Sequence, residues 1–345
     1  MNLVNWPSCC QKAYETAFYG WQADNHANMN PTMSGSLSGE LRSMLPVLAE
    51  VFDEARVAIR VVNRSTLFDA HVLKTTCTKK HTVHVALIGS NLLFLIWRLV
   101  MITGAACISA EQTKTGFRYV IREPNDEDLR QLGLAFETYL AGGPLDQQAL
   151  DDVAESIGKA PPLARALFVQ TATLAELFVI LHEVAHVLPL PGVDVSLGEL
   201  VINPERGAAW LDELKADISA YEMLLLGIMS GFKDQLGNDD RHTEMMKQDA
   251  RTYAFELVAC AVASVHAALS LAIRKQSERL PEFPAVIDPQ FRTHPPLFIR
   301  AQMFDTWIKS RAQESNTPDG RVLADLVRTF TSQLSDRFFS DDKQH

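Results

Sequence analysis

The sequence predicts an α+β fold that is mostly helical, and three observations indicate it. Apolar residues recur at helical spacing through much of the 345-residue chain, as they do over 210–224. Short β-branched runs at 58–62, 67–74 and 82–88 predict a small sheet that precedes the most apolar helices. The chain has 47% hydrophobic and 21% charged residues, which is typical of a globular protein.

The secondary structure of the first 55 residues is predicted from the positions of turn-forming and apolar residues. Residues 8–20 are expected to form a short helix, whereas 25–39, rich in Asn, Ser, Gly and Pro, is expected to be a loop. A helix would then begin at 38–40, and Pro46 would lie in its first turns or kink it.

Beyond residue 55, Gly and Pro punctuate the predicted elements. Strands 67–74 and 82–88 surround a polar turn, Ser90 or Asn91 caps the next helix, and 116–122 is a further strand. The other helices are predicted from apolar periodicity between breaks, at 90–102, 126–141, 146–157, 161–188 and 247–275.

One motif stands out near the end of the apolar helix 161–188. His182-Glu183-Val184-Ala185-His186 reads H-E-x-x-H. Residues four apart share a helix face, so His182 and His186 can bind one zinc ion, while Glu183 can reach a metal-bound water as a general base. The alternative is two core histidines beside a surface Glu, but buried imidazoles are costly unless they are paired or bind a metal.

A third ligand is expected on the helix over 210–224. Glu213 and Asp217 are four residues apart and share a face. Glu213 would bind zinc, and Asp217 would accept the far N–H of a zinc-bound histidine. The alternative is that both are ordinary solvated acids.

With these motifs the chain resembles a gluzincin, the group of zinc metallopeptidases with HExxH plus a later Glu. The closest pattern is the HtpX and CAAX-prenyl-protease type, to which 182–186 (HEVAH), 213–217 (ELKAD) and 293–300 (THPPLFIR) are similar. The chain departs from that pattern at Asp69, where Asn is usual, and in a long insert at 102–160. A soluble phage-exclusion peptidase is a second possible relative.

The resemblance implies further roles. His294 would face the cleft and stabilise the oxyanion of the tetrahedral intermediate, and Arg300 would order that segment or bind an acid. The strand 82–88 would be an edge strand that pairs with extended substrate, or else a plain core strand. The linker 192–207 would be a lid or an ordinary loop, and His266 a satisfied core residue rather than a ligand.

The implied organisation is a small sheet preceding the active-site helix of a zincin-like catalytic domain. That domain would span 56–335, include the 102–160 insert, follow an N-terminal helical extension at 1–55, and end in a polar tail at 336–345.

Bulk composition argues against several classes of partner. A net charge of −10 without a dense Lys/Arg patch argues against nucleic acid as a binding partner. The apolar stretches 83–110, 161–188 and 253–273 are each interrupted by charged or polar groups, so a membrane is not expected. The N-terminus lacks the basic and apolar regions of a signal peptide.

The five cysteines form no zinc-type pair in sequence. They are Cys9, Cys10, Cys77, Cys107 and Cys260. The interpretation is reduced thiols in a cytoplasmic protein.

The expected function is a zinc-dependent endopeptidase, with Zn²⁺ as cofactor and a protein or peptide as substrate. Glu183 would assist the attack of zinc-bound water on the peptide bond. One alternative is a zinc-binding regulatory, toxin or phage-exclusion-like defence module that acts on one specific protein partner. Another is a structural helical protein with a chance motif.

Overall fold

A computed structural model describes most of the chain. The described residues are 6–64, 70–107, 109–113, 116–142, 144–159, 162–188, 190, 204–236, 244–279, 295, 297–314 and 322–341.

Within these residues the chain forms eleven α-helices and six β-strands. The helices are α1 Ser8–Asp24, α2 Pro31–Met44, α3 Pro46–Glu54, α4 Ser90–Cys107, α5 Asp126–Ala141, α6 Gln147–Lys159, α7 Pro162–Ala185, α8 Pro204–Leu236, α9 Glu244–Arg279, α10 Leu297–Glu314 and α11 Val322–Asp341. The strands are β1 Ala27–Met29, β2 Val57–Arg64, β3 Ala70–Thr76, β4 Thr82–Gly89, β5 Ser109–Thr113 and β6 Gly116–Val120. The mostly helical α+β class is therefore confirmed.

Four strands form one sheet in the order β1-β2-β4-β3. β2 and β4 are parallel, with Val57 opposite His84, and β3 is antiparallel to β4, with Thr76 opposite Thr82. The strand predicted at 82–88 is therefore central, which contradicts its expected role as a substrate-binding edge and confirms the alternative of a core strand. In this sheet β1 and β3 are the edges.

The sheet separates two hydrophobic clusters because its side chains alternate between faces. Val85 and Leu87 of β4 pack with Tyr14 and Phe18 of α1. Ala86 and Ile88 of the same strand belong to the large core formed with the helices. The α1 helix thus covers one face, and the helical layer lies on the other.

Three apolar helices, α4, α7 and α9, pack against one another in the helical layer. The stretches Arg165–Ala185 and Asp249–Gln276 are long and apolar enough to cross a membrane, but 78% and 72% of their most apolar windows are buried inside the protein. A core helix of a soluble protein passes the same test, so these two helices are weak evidence for a membrane span.

The predicted loop at 25–39 is wrong, because this segment contains β1 and most of α2. Pro31 occupies the first turn of α2, where its missing N–H costs nothing, and the side chain of Asn30 accepts the N–H of Met33. The hydroxyls of Ser34 and Ser38 bond backbone carbonyls four residues earlier. Composition suggested a loop, but these side chains satisfy helix backbone groups instead.

Pro46 neither lies in the first turns of the predicted helix nor kinks it. It begins a separate helix, α3, after Leu45. Within the 102–160 insert, the predicted strand at 116–122 is present as β6, whereas its antiparallel partner β5 was not predicted. The predicted helix 126–141 coincides with α5, where Asn125 and Asp128 form a reciprocal capping box.

Candidate metal centre

The HExxH residues lie where α7 ends. His182 is in the last turn of the helix, and His186 follows its final residue, Ala185. Hydrogen bonds from the backbone N–H groups of Val187 and Leu188 to the Val184 carbonyl continue the helical turn past His186. The two imidazoles therefore remain on the same side of this turn. Val184, on the turn between them, is fully buried in the core.

Helix α8 brings Glu213 to this pair, as the spacing predicted. The Nε2 atoms of His182 and His186 are 3.3 Å apart. Glu213 Oε2 is 3.4 Å from His182 Nε2, and its Oε1 is 3.5 Å from His186 Nε2. Ligands at zinc–ligand distances of about 2.05 Å in a tetrahedron lie about 3.3 Å from one another. The three side chains thus have the spacing of a tetrahedral zinc site.

The Nδ1 atoms of the two histidines face carboxylates, which leaves the Nε2 atoms available to bind a cation. His182 Nδ1 lies 2.8 Å from Asp217 Oδ1, and His186 Nδ1 lies 2.9 Å from Asp212 Oδ2. Ionised carboxylates accept hydrogen bonds, so we expect each histidine to carry its N–H on Nδ1 and a lone pair on Nε2. The His186–Asp212 contact has hydrogen-bond geometry, whereas His182 and Asp217 are within ion-pair distance without it. Two such lone pairs and the Glu213 carboxylate repel one another unless a cation lies between them, so the donor set fits zinc.

Without a metal, a proton takes the place of that cation on His182. Burial disfavours the imidazolium, but the Asp217 and Glu213 carboxylates outweigh it and raise the pKa of His182 to about 9. Zinc binding must therefore displace a proton from this ring, as is usual when a histidine becomes a ligand.

Arg300 of α10 balances the charge of the buried acids. Its Nε lies 2.7 Å from Asp217 Oδ2, its second guanidinium contact is to Asp217 Oδ1, and a third nitrogen lies 3.7 Å from Glu213. Burial opposes ionisation of Asp217, but Arg300 and His182 lower the pKa of this carboxyl far below its usual range. The Arg300–Asp217–His182 chain therefore fixes the ring of the first ligand from α10.

His266 of α9 borders this chain without completing it. Its Nε2 is 4.0 Å from Asp217 Oδ2, and neither ring nitrogen has a hydrogen-bond partner among the described residues. Burial lowers the pKa of His266 to about 4, so the ring is neutral at pH 7. His266 is a buried core residue, as the sequence indicated, but the prediction that its polar atoms would be satisfied is wrong.

The centre is more open on the side of the second histidine. The side chains of His182 and Glu213 are 11% and 9% exposed, whereas that of His186 is 22% exposed. Glu183 is half-buried beside them, and its carboxylate is close enough to Arg300 to raise the arginine pKa. Among the described residues, His186 and Glu183 therefore border the more exposed side of the centre.

The structure describes some of the predicted site residues and not others. His182, His186 and Glu213 converge, Asp217 pairs with His182, and Arg300 binds an acid as one of its two expected roles. His294 and most of the 192–207 linker lie outside the described residues. Sequence reasoning missed Asp212 as the partner of His186, although its place beside Glu213 on a helix facing the motif was a usable signal.

No protein-family model, curated protein or solved structure matches this chain. Any statement about its activity must therefore come from the site itself.

Proposed function

We propose that this protein is a zinc-dependent endopeptidase with a zincin-like fold of the gluzincin type. The observation that carries the proposal is the mutual spacing of His182, His186 and Glu213, at 3.3–3.5 Å between donor atoms. An HExxH helix with a Glu ligand from a later helix leaves one coordination position open, as catalytic zinc sites do. The adjacent Glu183 is the group that distinguishes a hydrolase from a structural zinc site.

Bound zinc would supply Lewis acidity, polarising the scissile carbonyl and acidifying a water molecule. Glu183 would accept the water proton and deliver it to the leaving amine. Asp217 and Asp212 would hold the two ligand rings in the required tautomer. By resemblance His294 would donate to the developing oxyanion, while Arg300 would position Asp217 beneath His182.

The first test measures zinc in the purified full-length protein and compares variants of the ligands. His186→Ala and Glu213→Ala should each hold about one equivalent less zinc than the wild type. Glu155→Ala is the control, because this exposed residue of α6 lies away from the centre and forms an ion pair with Lys159, its one recorded partner among the described residues. Wild-type levels of zinc in both ligand variants would sink the three-ligand site.

The second test isolates the general base. Glu183→Gln should keep its zinc but cleave an unfolded protein such as casein at least ~10²–10⁴-fold more slowly. The matched control is Glu176→Gln on the same helix. Burial raises the pKa of Glu176 well above its usual value, and glutamine keeps the size and shape of this side chain.

The outcomes separate the alternative functions. Zinc in the wild type with no cleavage of generic substrates would contradict the endopeptidase and favour a module that acts on one partner. Equal cleavage by the wild type and Glu183→Gln would show that the proposed base is not used. No zinc even after reconstitution would leave HExxH as a chance motif.

A further inference from the structure

Three cysteines that are far apart in sequence converge on the other face of the sheet. Cys9 and Cys10 lie in the first turn of α1, and Cys77 follows β3. The Cys9 and Cys77 sulfurs are 3.1 Å apart, those of Cys10 and Cys77 are 3.6 Å apart, and those of Cys9 and Cys10 are 4.0 Å apart. Cys10 and Cys77 are buried, while Cys9 is partly exposed. All three are free thiols, and their sulfurs form a triangle.

A tight turn follows Cys77 and leads to β4. Lys80 has a left-handed backbone, with φ of 60°, and its N–H donates to the Cys77 carbonyl at 2.8 Å. The Cys77 N–H donates to the His81 carbonyl at 2.9 Å. These two backbone hydrogen bonds fix the position of Cys77 at the start of the turn.

The surroundings suit a group of thiolates that is shielded from solvent. The N-terminus of α1 places the positive end of its helix dipole at Cys9 and Cys10. Trp6, Tyr14 and Val83 belong to the apolar cluster that contains the buried cysteines. The exposed Lys79 and Lys80 of the turn supply positive charge nearby, which gives a role to a basic pair that the metal centre does not use.

From this geometry we propose that Cys9, Cys10 and Cys77 form a second metal site, in which three thiolates hold a thiophilic d¹⁰ cation, Zn²⁺ or Cu⁺. Sulfur ligands at about 2.3 Å from zinc lie about 3.8 Å apart. The 3.6 Å and 4.0 Å separations already match that spacing. The partly exposed Cys9 sulfur need only move away from Cys77.

The site is structural rather than catalytic. A cation there would join the start of α1 to the turn between β3 and β4, which have no other covalent or metal link among the described residues. A disulfide would use only two of the three sulfurs and would leave the third, inward-facing thiol unexplained. The three cysteines lie on the opposite face of the sheet from His182, and a cation bound to them is independent of the proposed peptidase activity.

The test uses Cd²⁺ as a spectroscopic probe of the full-length, reduced protein. Thiolate-to-cadmium charge transfer absorbs in the ultraviolet, whereas imidazole and carboxylate ligands give no such band. The band should saturate at one equivalent in the wild type and in His186→Ala. It should be lost, or require at least ~100-fold more Cd²⁺, in Cys77→Ser and Cys9→Ser, because loss of a ligand should cost at least as much as loss of an outer-shell partner.

The control is Cys260→Ser, in which a buried cysteine of α9 is changed and the band should remain. Circular dichroism and thermal denaturation show whether each cysteine variant is folded. Competition against Zn²⁺ and against Cu⁺ with chelators of known affinity then identifies the preferred ion.

Three results would overturn the proposal. One is a folded, reduced wild type that shows no thiolate band. A second is a band that persists in folded Cys77→Ser and Cys9→Ser. A third is mass spectrometry that finds a Cys9–Cys77 disulfide in protein purified with no added oxidant, together with no metal binding after reduction.

Discussion

The histidine and cysteine clusters are assembled in the same way, each from two residues close in sequence and one distant residue. His182 lies in the last turn of α7 and His186 just after it, and Glu213 adds one donor from α8. The cysteine cluster joins the neighbours Cys9 and Cys10 on α1 to Cys77, which is 67 residues beyond Cys10. The difference is in the local pair, because H-E-x-x-H is a spacing that by itself indicates a metal site, whereas two adjacent cysteines do not indicate where the third lies.

The two clusters also balance charge differently. The nitrogen and oxygen donors of the histidine centre are backed by a buried carboxylate and a guanidinium, Asp217 and Arg300. The sulfurs lie instead near the N-terminus of α1 and the exposed Lys79 and Lys80. A mixed nitrogen and oxygen set suits zinc in catalysis, whereas thiolates suit a structural ion. Variants that affect one cluster should therefore leave the other intact.

The largest effect should come from Asp217→Asn. Removing this buried charge leaves Arg300 poorly compensated, which should lower the free energy of unfolding by about 3–5 kcal/mol. Loss of the carboxylate behind His182 should also weaken zinc binding by ~10–100-fold. Urea denaturation and zinc competition measure the two effects.

The matched control is Asp212→Asn, which removes the corresponding carboxylate from His186. Because the Asp212 side chain is 68% exposed, its loss should change stability by less than about 1 kcal/mol. Equal destabilisation by the two variants would contradict the assignment of Asp217 as the principal buried support.

A smaller effect is expected where α4 meets the histidine helix. A Cβ added at Gly104 would lie 2.5–2.8 Å from ring atoms of Phe168 on α7. Gly104→Ala should therefore destabilise the protein by roughly 1–3 kcal/mol, as overpacking does, and leave the cadmium band of the cysteines unchanged. Thermal denaturation and the cadmium titration provide the measurements.

Gly158→Ala on α6 serves as its control, because nothing lies within 4 Å of the added Cβ. That variant should be neutral or stabilised by up to ~1 kcal/mol, the helix preference of alanine over glycine. If Gly104→Ala were equally benign, α7 would not be fixed by this close approach.

The smallest effect is expected in how the free energy of unfolding changes at acid pH, through the titration of His266. Its pKa is lowered from 6.5 to about 4 by burial, with Arg300, Arg328 and His182 adding to the shift and Asp217 opposing it. The stabilising contribution is fully present above pH 6.5 and is lost as pH falls towards 4, because the unfolded chain binds the proton first. At pH 5 the metal-free wild type should have lost up to about 2 kcal/mol through this group.

His266→Leu removes that titration, so its stability should fall less between pH 7 and pH 5 than that of the wild type. Urea denaturation of both metal-free proteins at the two pH values measures the difference. Parallel losses in the two proteins would show that His266 is not held neutral.

Local sequence determined those elements whose backbone groups are satisfied by nearby residues. α5 begins at its predicted position because Asn125 and Asp128 cap each other's backbone within one turn. The prediction for 25–39 was wrong because the composition of this segment is that of a loop, whereas the Asn30 cap and Pro31 in the first turn begin a helix there. The place of β4 inside the sheet also could not be predicted, because strand order depends on which strands pair across the fold.

The histidine and cysteine clusters show the same division between what local sequence determines and what depends on contacts across the fold. The sequence by itself determined that His182 and His186 lie on one side of the chain, and that Glu213 and Asp217 share one face of α8, since helical geometry places residues four apart on one face. Only the tertiary structure decided that Asp217 contacts His182, that Asp212 contacts His186, and that Arg300 reaches Asp217 and Glu213. It alone brought Cys77 to Cys9 and Cys10, because that contact depends on α1 packing against the sheet.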